Sequence, residues 1–372
     1  MGIKEKIREY ANKIGLPLFG VTSPEPLDYL REFLDQRKSK GYDTVFEKGW
    51  TASRRCEVKQ HFPGARSVIC VGLPYYQQPR KGGDQKNKGY LSLYTRGVDY
   101  HRVLKHKLKG LALFVEGLVD GFEYMICVDT IPLVEKALAH RAGLGWQGKN
   151  SLLYSPHYGS WFFLGELITN LYLTPDTPIP NKCGGCNKCI SSCPANAIKE
   201  HYILDAGKCI SGVLQNPGII PVEMRKKIGK NVFGCDICQV VCPHNQNISP
   251  VDNELKNNGD GNYDLLDLLY LTNREYRDKF AESALSWRGR KVLQRNAVVA
   301  IGNTGDKGFV PKLKDALNDR RPLIRIHTAW ALGELGGDKS RDMLLKRKRI
   351  EDDVQVQEEI DMALKKHDFR QH

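Results

Sequence analysis

The sequence predicts a chain of three parts: an α/β domain over residues 1–174, a cysteine-rich domain over 175–250 and an all-α domain over 251–372. Helical and strand-like segments alternate through the first part, as is typical of α/β proteins. Cysteines are concentrated in the second part, and a helical motif repeats in the third. Prolines at the start of the second part, and a stretch rich in Asn, Gly and Asp over 252–262, mark the two boundaries.

The α/β prediction depends on the spacing of apolar residues in the first part. They recur at helical spacing through 3–14 and 104–118. Strand-like runs occupy 18–21, 67–72 and 124–128. Helices and strands in this order are expected to share one hydrophobic core.

Composition restricts the class of protein. The apolar stretch 161–173 is interrupted by Glu166 and Asn170 and is shorter than the roughly 20 residues that cross a bilayer. The first residues are charged and lack a secretory signal, so a cytoplasmic location without membrane attachment is expected. The formal net charge of +13 suits a polyanionic partner such as nucleic acid, although a basic surface that binds nothing remains the alternative.

The third part carries a repeated motif. Ala-Ile-Gly-Asn at 300–303 recurs as Ala-Leu-Gly-Glu at 331–334, and a Gly-Asp pair follows each copy. The two copies are 31 residues apart, and helix-pair units of about that length form HEAT-type arrays. The alternative is a plain helical cap on the rest of the molecule.

The spacing of the cysteines indicates iron–sulfur clusters. Cys183 opens a run with the spacing Cys-x2-Cys-x2-Cys-x3-Cys-Pro that is typical of bacterial ferredoxins. A second run, which begins at Cys235, lacks one cysteine, and Cys209 is available to replace it. Two zinc sites are the alternative, but zinc ligands usually come as separated Cys-x2-Cys pairs. Isolated cysteines at 70 and 127 lie among apolar residues and are expected in the core.

Eight thiolates make two four-cysteine sites, so the second part is predicted to be a ferredoxin-like double-cubane domain. The first [4Fe–4S] cluster is assigned to Cys183, Cys186, Cys189 and Cys242, and the second to Cys193, Cys209, Cys235 and Cys238. In two-cluster ferredoxins the last cysteine of each run ligates the other cluster. Such clusters move single electrons, which indicates an electron-transfer enzyme or an electron carrier.

Further motifs carry a family resemblance together with the cysteine runs. They are Asp99-Tyr100-His101, Val128-Asp129-Thr130 with Pro132 and Glu135-Lys136, the glycine-rich run Ala142 to Asn150, Gly159 to Glu166, Phe233 to Cys238, and Arg295-Asn296. With them, nearly the whole chain resembles the epoxyqueuosine reductases, which carry out the last step of queuosine synthesis in tRNA.

The resemblance implies a reaction, cofactors and partners. Epoxyqueuosine in an anticodon loop would be reduced to queuosine, with electrons passed from the clusters to cobalamin and a proton from Asp129. The resemblance implies a cobalamin bound base-off between the α/β domain and the clusters. The usual Asp-x-His-x-x-Gly signature is absent after Asp99 and His101, so the corrin would lack a protein histidine below cobalt. The partners would be tRNA and an electron donor such as a flavodoxin or a ferredoxin.

The resemblance also implies a set of cofactor contacts. These are Arg54, Ser92, His101, Asp129, Gly148, Lys149, Asn150, Ser160 and Ser211. Clustered glycines before Asn150 allow backbone to approach a flat ligand closely, although ordinary turns explain them equally. Some members of the family have a cysteine in place of Ser92, so its side chain is not expected to be essential.

Two residues have both a catalytic and a structural interpretation. Asp129 ends a strand-like run, a common position for active-site acids, but it could instead cap a helix over 132–140. The family motif favours the acid. His101 could contact the substrate or cap a helix over 102–118.

Basic residues are the candidates for tRNA contacts, although such residues usually form solvated faces. The candidates are Lys136, Arg141, Lys226, Arg288, Arg290, Lys291 and Arg295.

Two other functions fit parts of the pattern. A non-catalytic iron–sulfur carrier could dock through the helical repeats and would need no cobalamin. A reductive dehalogenase-like enzyme would share the cofactors, but such enzymes usually carry an export signal and have no reason for a basic helical array.

Overall fold

The computed structural model describes residues 1–47, 49–77, 86–255 and 261–369. They form two compact units, each assembled from several segments of the chain. The first unit contains Met1–Gln78, Gly97–Cys209 and Asp236–Asn257, and the second contains Pro79–Arg96, Ile210–Cys235 and Asn258–His372.

These units differ from the three predicted domains because the cysteine-rich region is divided between them. Residue 174 is not a boundary between the units. The Asp176 carboxylate accepts hydrogen bonds from Lys4 Nζ at 2.7 Å and from the Val21 backbone N–H at 2.9 Å. The proline-rich linker is thereby attached to the N-terminal helix and strand of the first unit.

The helices follow one another along the chain. They are α1 (Ile3–Lys13), α2 (Arg31–Ser39), α3 (Ala52–Cys56), α4 (Tyr100–Glu116), α5 (Glu135–Arg141), α6 (Lys188–Ser191), α7 (Ile210–Gln215), α8 (Val222–Ile228), α9 (Ile237–Val240), α10 (Leu265–Tyr270), α11 (Asn273–Phe280), α12 (Gly289–Thr304), α13 (Lys314–Leu317), α14 (Pro322–Leu335), α15 (Asp338–Lys348) and α16 (Val354–Phe369).

Short strands lie between many of these helices. They are β1 (Leu18–Thr22), β2 (Ser67–Pro74), β3 (Lys88–Leu91), β4 (Tyr124–Cys127), β5 (Trp146–Gln147), β6 (Leu153–Tyr154), β7 (Phe162–Thr169), β8 (Ile198–Glu200), β9 (Ile203–Leu204), β10 (Asn231–Phe233) and β11 (Asn262–Asp264).

The first unit is built on a four-stranded sheet in the order β1-β2-β7-β4. Every neighbouring pair in it is antiparallel, and β2 is buried along its whole length. The predicted strands near residues 18, 67 and 124 are all present. The cysteines at 70 and 127 are fully buried, as predicted. The interrupted apolar stretch is the central strand β7, and in the described parts of the chain no helix is long and apolar enough to cross a membrane.

The second unit combines the sheet β10-β3-β11 with α7, α8 and the helices from α10 onward. The glycines of the repeated motif lie where its helices cross. A Cβ atom on Gly302 of α12 would be 2.7 Å from the Trp330 ring and 3.0 Å from the Ala331 Cα of α14. A Cβ atom on Gly333 of α14 would be 2.8 Å from Ala363 of α16. The repeated glycine therefore lets successive helices approach closely, which explains why the motif recurs.

Candidate iron–sulfur and catalytic site

Four cysteines of the first unit line one cleft. They are Cys183, Cys186, Cys189 and Cys242, the set assigned to the first cluster. The two cysteine runs come together because each run contains a single turn of helix, α6 or α9, and these two helices pack against each other. Four thiols around one cleft are the donor set that a cubane cluster requires.

The cleft is supported by a buried lysine. Lys149 Nζ donates to the Cys186 backbone carbonyl and to Asn187 Oδ1, both at 2.9 Å. Lys149 therefore holds the loop between two of the ligand cysteines. Among the residues that the structure describes, no group of three or more His, Cys, Asp or Glu side chains is placed to hold a single metal ion.

The second predicted cluster is not defined to the same degree. Cys193, Cys209 and Cys238 belong to the first unit, whereas Cys235 belongs to the second. Within the first unit, Cys193 Sγ accepts a hydrogen bond from the Ala197 backbone N–H at 3.4 Å. The ligand set of this cluster stays a prediction from the sequence.

Asp129 lies just beyond the end of β4, and its surroundings fix its orientation. Its backbone has a left-handed φ of 49°, and its N–H donates to Glu135 Oε1 at 2.7 Å. Tyr100 Oη donates to Asp129 Oδ2 at 3.0 Å, and His101 Nε2 lies 3.9 Å from the same oxygen. The carboxylate is 64% exposed. This arrangement presents an oriented acid to solvent and to any ligand that binds there.

The structure decides the capping alternatives. Helix α5 begins at Glu135, six residues after Asp129, and Val134 occupies its N-cap position. Asp129 therefore does not cap this helix. Asp99 caps α4, since its carboxylate accepts the His101 backbone N–H at 3.0 Å. The predicted capping role of His101 is therefore wrong.

His101 is held by the same cap. Its Nδ1 lies 2.7 Å from Asp99 Oδ1. Partial burial of Asp99 acts to raise the pKa of that carboxyl, but hydrogen bonds from His101 outweigh burial and lower this pKa. The Tyr100 ring stacks between His101 and Phe163, with centroid distances of 4.0 and 3.8 Å. The Asp99-Tyr100-His101 motif thus forms one rigid support beside Asp129.

The glycine-rich run before Asn150 lies against protein rather than against open space. A Cβ atom on Gly145 or Gly148 would overlap Tyr154 on β6. Asn150 Nδ2 donates to Tyr154 Oη at 2.9 Å, and Gly148, Lys149 and Asn150 line the cysteine cleft. These glycines therefore let the chain pass close to Tyr154, and their predicted close approach to a flat ligand stays a prediction.

The remaining predicted cofactor residues belong to both units. Ser160 Oγ accepts hydrogen bonds from Gln239 Nε2 at 3.0 Å and Asn245 Nδ2 at 2.9 Å. Arg54 is exposed on α3. Ser92 and Ser211 belong to the second unit, where Ser92 is fully buried.

Some of the side chains predicted to contact tRNA are exposed, and others already contact groups within the protein. Lys136 and Lys291 are exposed, although Lys136 Nζ also donates to the Ser151 carbonyl at 3.1 Å. Arg141 donates to Thr22, Ser23 and Glu25. Arg290 donates to the Leu271 carbonyl, Lys226 pairs with Glu334, and Arg288 lies over the Trp287 ring.

Arg295 requires a correction. Its side chain is fully buried, and its guanidinium group donates to the backbone carbonyls of Leu214, Asn216 and Gly218. A group enclosed in this way is not available to a phosphate, so the predicted tRNA contact at this residue is wrong.

Two acidic residues near Asp129 were not predicted to belong to the site. Glu135 accepts the Asp129 N–H, and Glu166 lies at the centre of β7 with no exposed surface. A carboxylate that interrupts an apolar run was the signal in the sequence for Glu166. The fold and the cysteine cleft define an iron–sulfur oxidoreductase with an oriented surface acid.

Comparisons with known proteins specify the family. Three family models match the chain: "Epoxyqueuosine reductase QueG, DUF1730" over residues 55–130, "4Fe-4S double cluster binding domain" over 182–245 and "HEAT repeats" over 280–365. The epoxyqueuosine reductase of Lactococcus garvieae is 40% identical over 341 residues, which are 90% of this chain and 96% of that protein.

Solved structures agree with this result. An epoxyqueuosine reductase bound to an epoxyqueuosine-modified tRNA-Tyr stem loop superposes with a TM-score of 0.94 at 35% identity, covering 98% of this chain and 99% of that one. A Bacillus subtilis epoxyqueuosine reductase superposes with a TM-score of 0.93 at 34% identity, covering 98% of both chains. The chain belongs to the epoxyqueuosine reductase family and is an oxidoreductase with a double [4Fe–4S] cluster domain and HEAT repeats. The predicted enzyme class is therefore confirmed, and the alternative of a non-catalytic electron carrier is wrong.

Proposed function

We propose that this protein reduces epoxyqueuosine to queuosine in the anticodon loop of tRNA and that Asp129 donates the proton to the epoxide oxygen. Membership of the family supports the reaction, and the relative bound to a modified tRNA stem loop supports the substrate. The observation that carries the role of Asp129 is its fixed, exposed carboxyl group, which Tyr100 contacts and His101 approaches. A Bacillus subtilis relative has been crystallised with an aspartate-bearing catalytic loop swung out of its active site.

The chemistry requires an acid at this position. Removing the epoxide oxygen to leave a cyclopentene and water consumes two electrons and two protons. Negative charge develops on the oxygen as the first carbon–oxygen bond breaks, and a positioned acid lowers this barrier. Asp129 is oriented for the transfer by its Tyr100 hydrogen bond and by the anchored backbone N–H.

The proposed cofactors are two [4Fe–4S] clusters and a base-off cobalamin, which when bound would supply the electrons. The cleft lined by four cysteines fits the first cluster. His101 lies between two carboxylates, Asp99 and Asp129, which supports a role beside the proton donor and not as a cobalt ligand.

The cobalamin contacts inferred from the sequence remain part of the proposal. They are Arg54, Ser92, His101, Asp129, Gly148, Lys149, Asn150, Ser160 and Ser211. For the glycine-rich run we propose that backbone groups, rather than the engaged side chains of Lys149 and Asn150, serve the cofactor. A small redox protein such as a flavodoxin or a ferredoxin would supply the electrons to the clusters.

Replacement of Asp129 by Asn tests the proton donor. Asn tolerates the left-handed backbone conformation and can still accept the Tyr100 hydrogen bond, but it has no acidic proton. Turnover of epoxyqueuosine-tRNA by Asp129→Asn should fall by roughly 10²–10⁴-fold. Turnover is measured by mass spectrometry of nucleosides from digested tRNA.

Iron content and cobalamin binding, followed by visible absorbance, should remain at wild-type levels in this variant. Asp120→Asn, an exposed aspartate before β4, serves as the matched control and should turn over normally. Near-normal turnover by Asp129→Asn would exclude the residue as the proton donor.

A further inference from the structure

Glu166 occupies an unusual position for a carboxyl group. It lies on the central strand β7, paired in register with Cys70 of β2 and Cys127 of β4. Its side chain has no exposed surface, and no hydrogen-bond donor among the described residues reaches either of its oxygens. A lone ionised carboxylate in such a place would be strongly unfavourable.

A second carboxyl group lies against it. Glu135 lies on the first turn of α5, which packs against β7, and its carboxyl group is close enough to Glu166 to form a hydrogen bond with it. An ionised carboxylate can only accept hydrogen bonds, so two carboxyl groups bond to each other only when one of them carries a proton. The contact therefore requires a proton between the two side chains.

Glu135 also connects this pair to the catalytic loop. Its Oε1 accepts the Asp129 backbone N–H at 2.7 Å, which makes it an anchor for the left-handed turn at Asp129. The Asp129 carboxylate itself faces Tyr100 and His101. The pair therefore acts on the orientation of Asp129 and not as its source of protons.

The electrostatics of the surroundings agree with a retained proton. Burial, and then the charge of Glu135, raise the pKa of Glu166 well above its ordinary value. Burial, and then the charge of Asp129, raise the pKa of Glu135 to about 8. The neighbouring thiols of Cys70 and Cys127 also have raised pKa values because they are buried, and so add no negative charge.

Lys136, next along α5, favours ionisation of Glu135, but its Nζ donates to the Ser151 carbonyl. Burial raises the pKa of Glu135 by more than the charge of Lys136 lowers it.

We infer that Glu135 and Glu166 share one proton and that this carboxyl pair positions Asp129. With the proton present, Glu166 is accommodated in the sheet and Glu135 accepts the Asp129 N–H. Loss of the proton places two negative charges in contact, which displaces Glu135 and releases the loop. The pair is thus a pH-dependent anchor, and its catalytic consequence depends on the proposed role of Asp129.

Infrared spectroscopy tests the shared proton independently of activity. At neutral pH the wild-type protein should show a band of a protonated carboxyl group that shifts in D₂O. Glu166→Gln and Glu166→Met should both lack it, and the control Glu9→Gln, an exposed residue of α1, should retain it. Absence of the band from the wild-type protein, or its persistence in both Glu166 variants, overturns the inference.

The pH profile tests the positioning role. The pKa values of both carboxyl groups are raised in the folded state, so the stability from the shared proton is complete below their ordinary values. It is lost in the alkaline range, as the pH rises through the higher of the two raised pKa values of the pair. The melting temperature and turnover of the wild-type protein should both decline across this range.

The two Glu166 variants should differ in these measurements. In Glu166→Gln the amide can donate to Glu135 without a titrating proton, so it should keep most of the neutral-pH turnover and lose the alkaline decline. Glu166→Met lacks a donor, and its turnover should fall about tenfold, the effect of removing one hydrogen bond. Equal losses and unchanged pH profiles in both variants would indicate a purely structural role and contradict the inference.

The outcomes separate this inference from the proposed function. Normal turnover by Asp129→Asn with the infrared band intact rejects the proton donor and leaves the carboxyl pair. If the band is missing and Asp129→Asn is inactive, the carboxyl pair is rejected and Asp129 remains the proton donor. If Glu166→Gln does not fold, Glu166→Met alone serves for the infrared test, in which it should lack the band.

Discussion

Arg295 is buried inside the second unit, where its guanidinium group holds a turn of the backbone. It donates to three carbonyl groups between residues 214 and 218, and to the Asn296 side chain. Asn296 in turn donates to the carbonyls of Leu214 and Val232. Burial lowers the pKa of Arg295 to about 9, so desolvation is costly and the hydrogen bonds must offset it.

Replacing Arg295 therefore affects stability. In Arg295→Met the apolar stem is kept while the backbone carbonyls lose their donors, and an unsatisfied buried group costs about 1–3 kcal/mol. The free energy of unfolding, measured by denaturant titration, should fall by about 2–4 kcal/mol. Lys291→Met, an exposed position on the same helix, should change it by less than about 0.5 kcal/mol. Similar effects of both substitutions would show that the Arg295 hydrogen bonds contribute little.

The single-residue roles show where the sequence is informative. Asp129 was predicted either as an acid or as a cap because capping depends on where a helix begins, and sequence patterns place helix ends poorly. Glu166 was visible as a polar interruption of an apolar run. Its partner Glu135 could not be predicted, because the contact depends on packing between α5 and β7.

Among the elements, the cysteine runs were the most predictable because their geometry is local. Fixed spacings close short turns around each set of thiols, and four of the assigned cysteines line one cleft. The support of this cleft by Lys149 was not predicted, because Lys149 is separated from Cys186 by 37 positions in the sequence and from Asn187 by 38.

Substitution of Cys209 tests the ligand assignment of the second cluster. Anaerobic reconstitution should give about eight irons per chain in the wild-type protein, four for each cubane. Cys209→Ala should lose one cluster and retain about four irons. Cys56→Ala, which removes a buried cysteine outside both runs, should retain about eight. Full iron content in Cys209→Ala would show that another ligand completes the second cluster.

The helical repeat was also predictable, because its glycines recur at a fixed interval and each one lies at a helix crossing. The sequence did not predict which segments of the chain assemble into the second unit. Its sheet joins β3, β10 and β11, which come from three separate segments of the chain. Such pairing depends on contacts distant in sequence, so linear boundaries drawn from composition could not reproduce it.

For the whole molecule, the net charge of +13 would attract the phosphates of the proposed tRNA substrate. Each lysine or arginine that neutralises a phosphate releases counterions, so binding should weaken as salt rises. Of the basic residues near the start of α12, Arg288 and Arg290 have contacts within their own unit. Lys291 and Arg320 are exposed, which makes them the better probes of a phosphate contact.

Reversal of these two charges should separate a local tRNA contact from the effect of net charge. In the double variant Lys291→Glu, Arg320→Glu, tRNA affinity should fall. The slope of log affinity against log salt should become shallower by about 0.7–0.9 for each phosphate that the variant no longer neutralises. Iron content should not change, because neither residue is a cluster ligand.

The matched control Lys6→Glu, Lys13→Glu alters the net charge equally on the exposed face of α1. Filter binding across a salt series measures both slopes. Equal slopes for the two double variants would mean that tRNA responds only to total charge, whereas a shallower slope confined to the first locates phosphate contacts at the helical repeats.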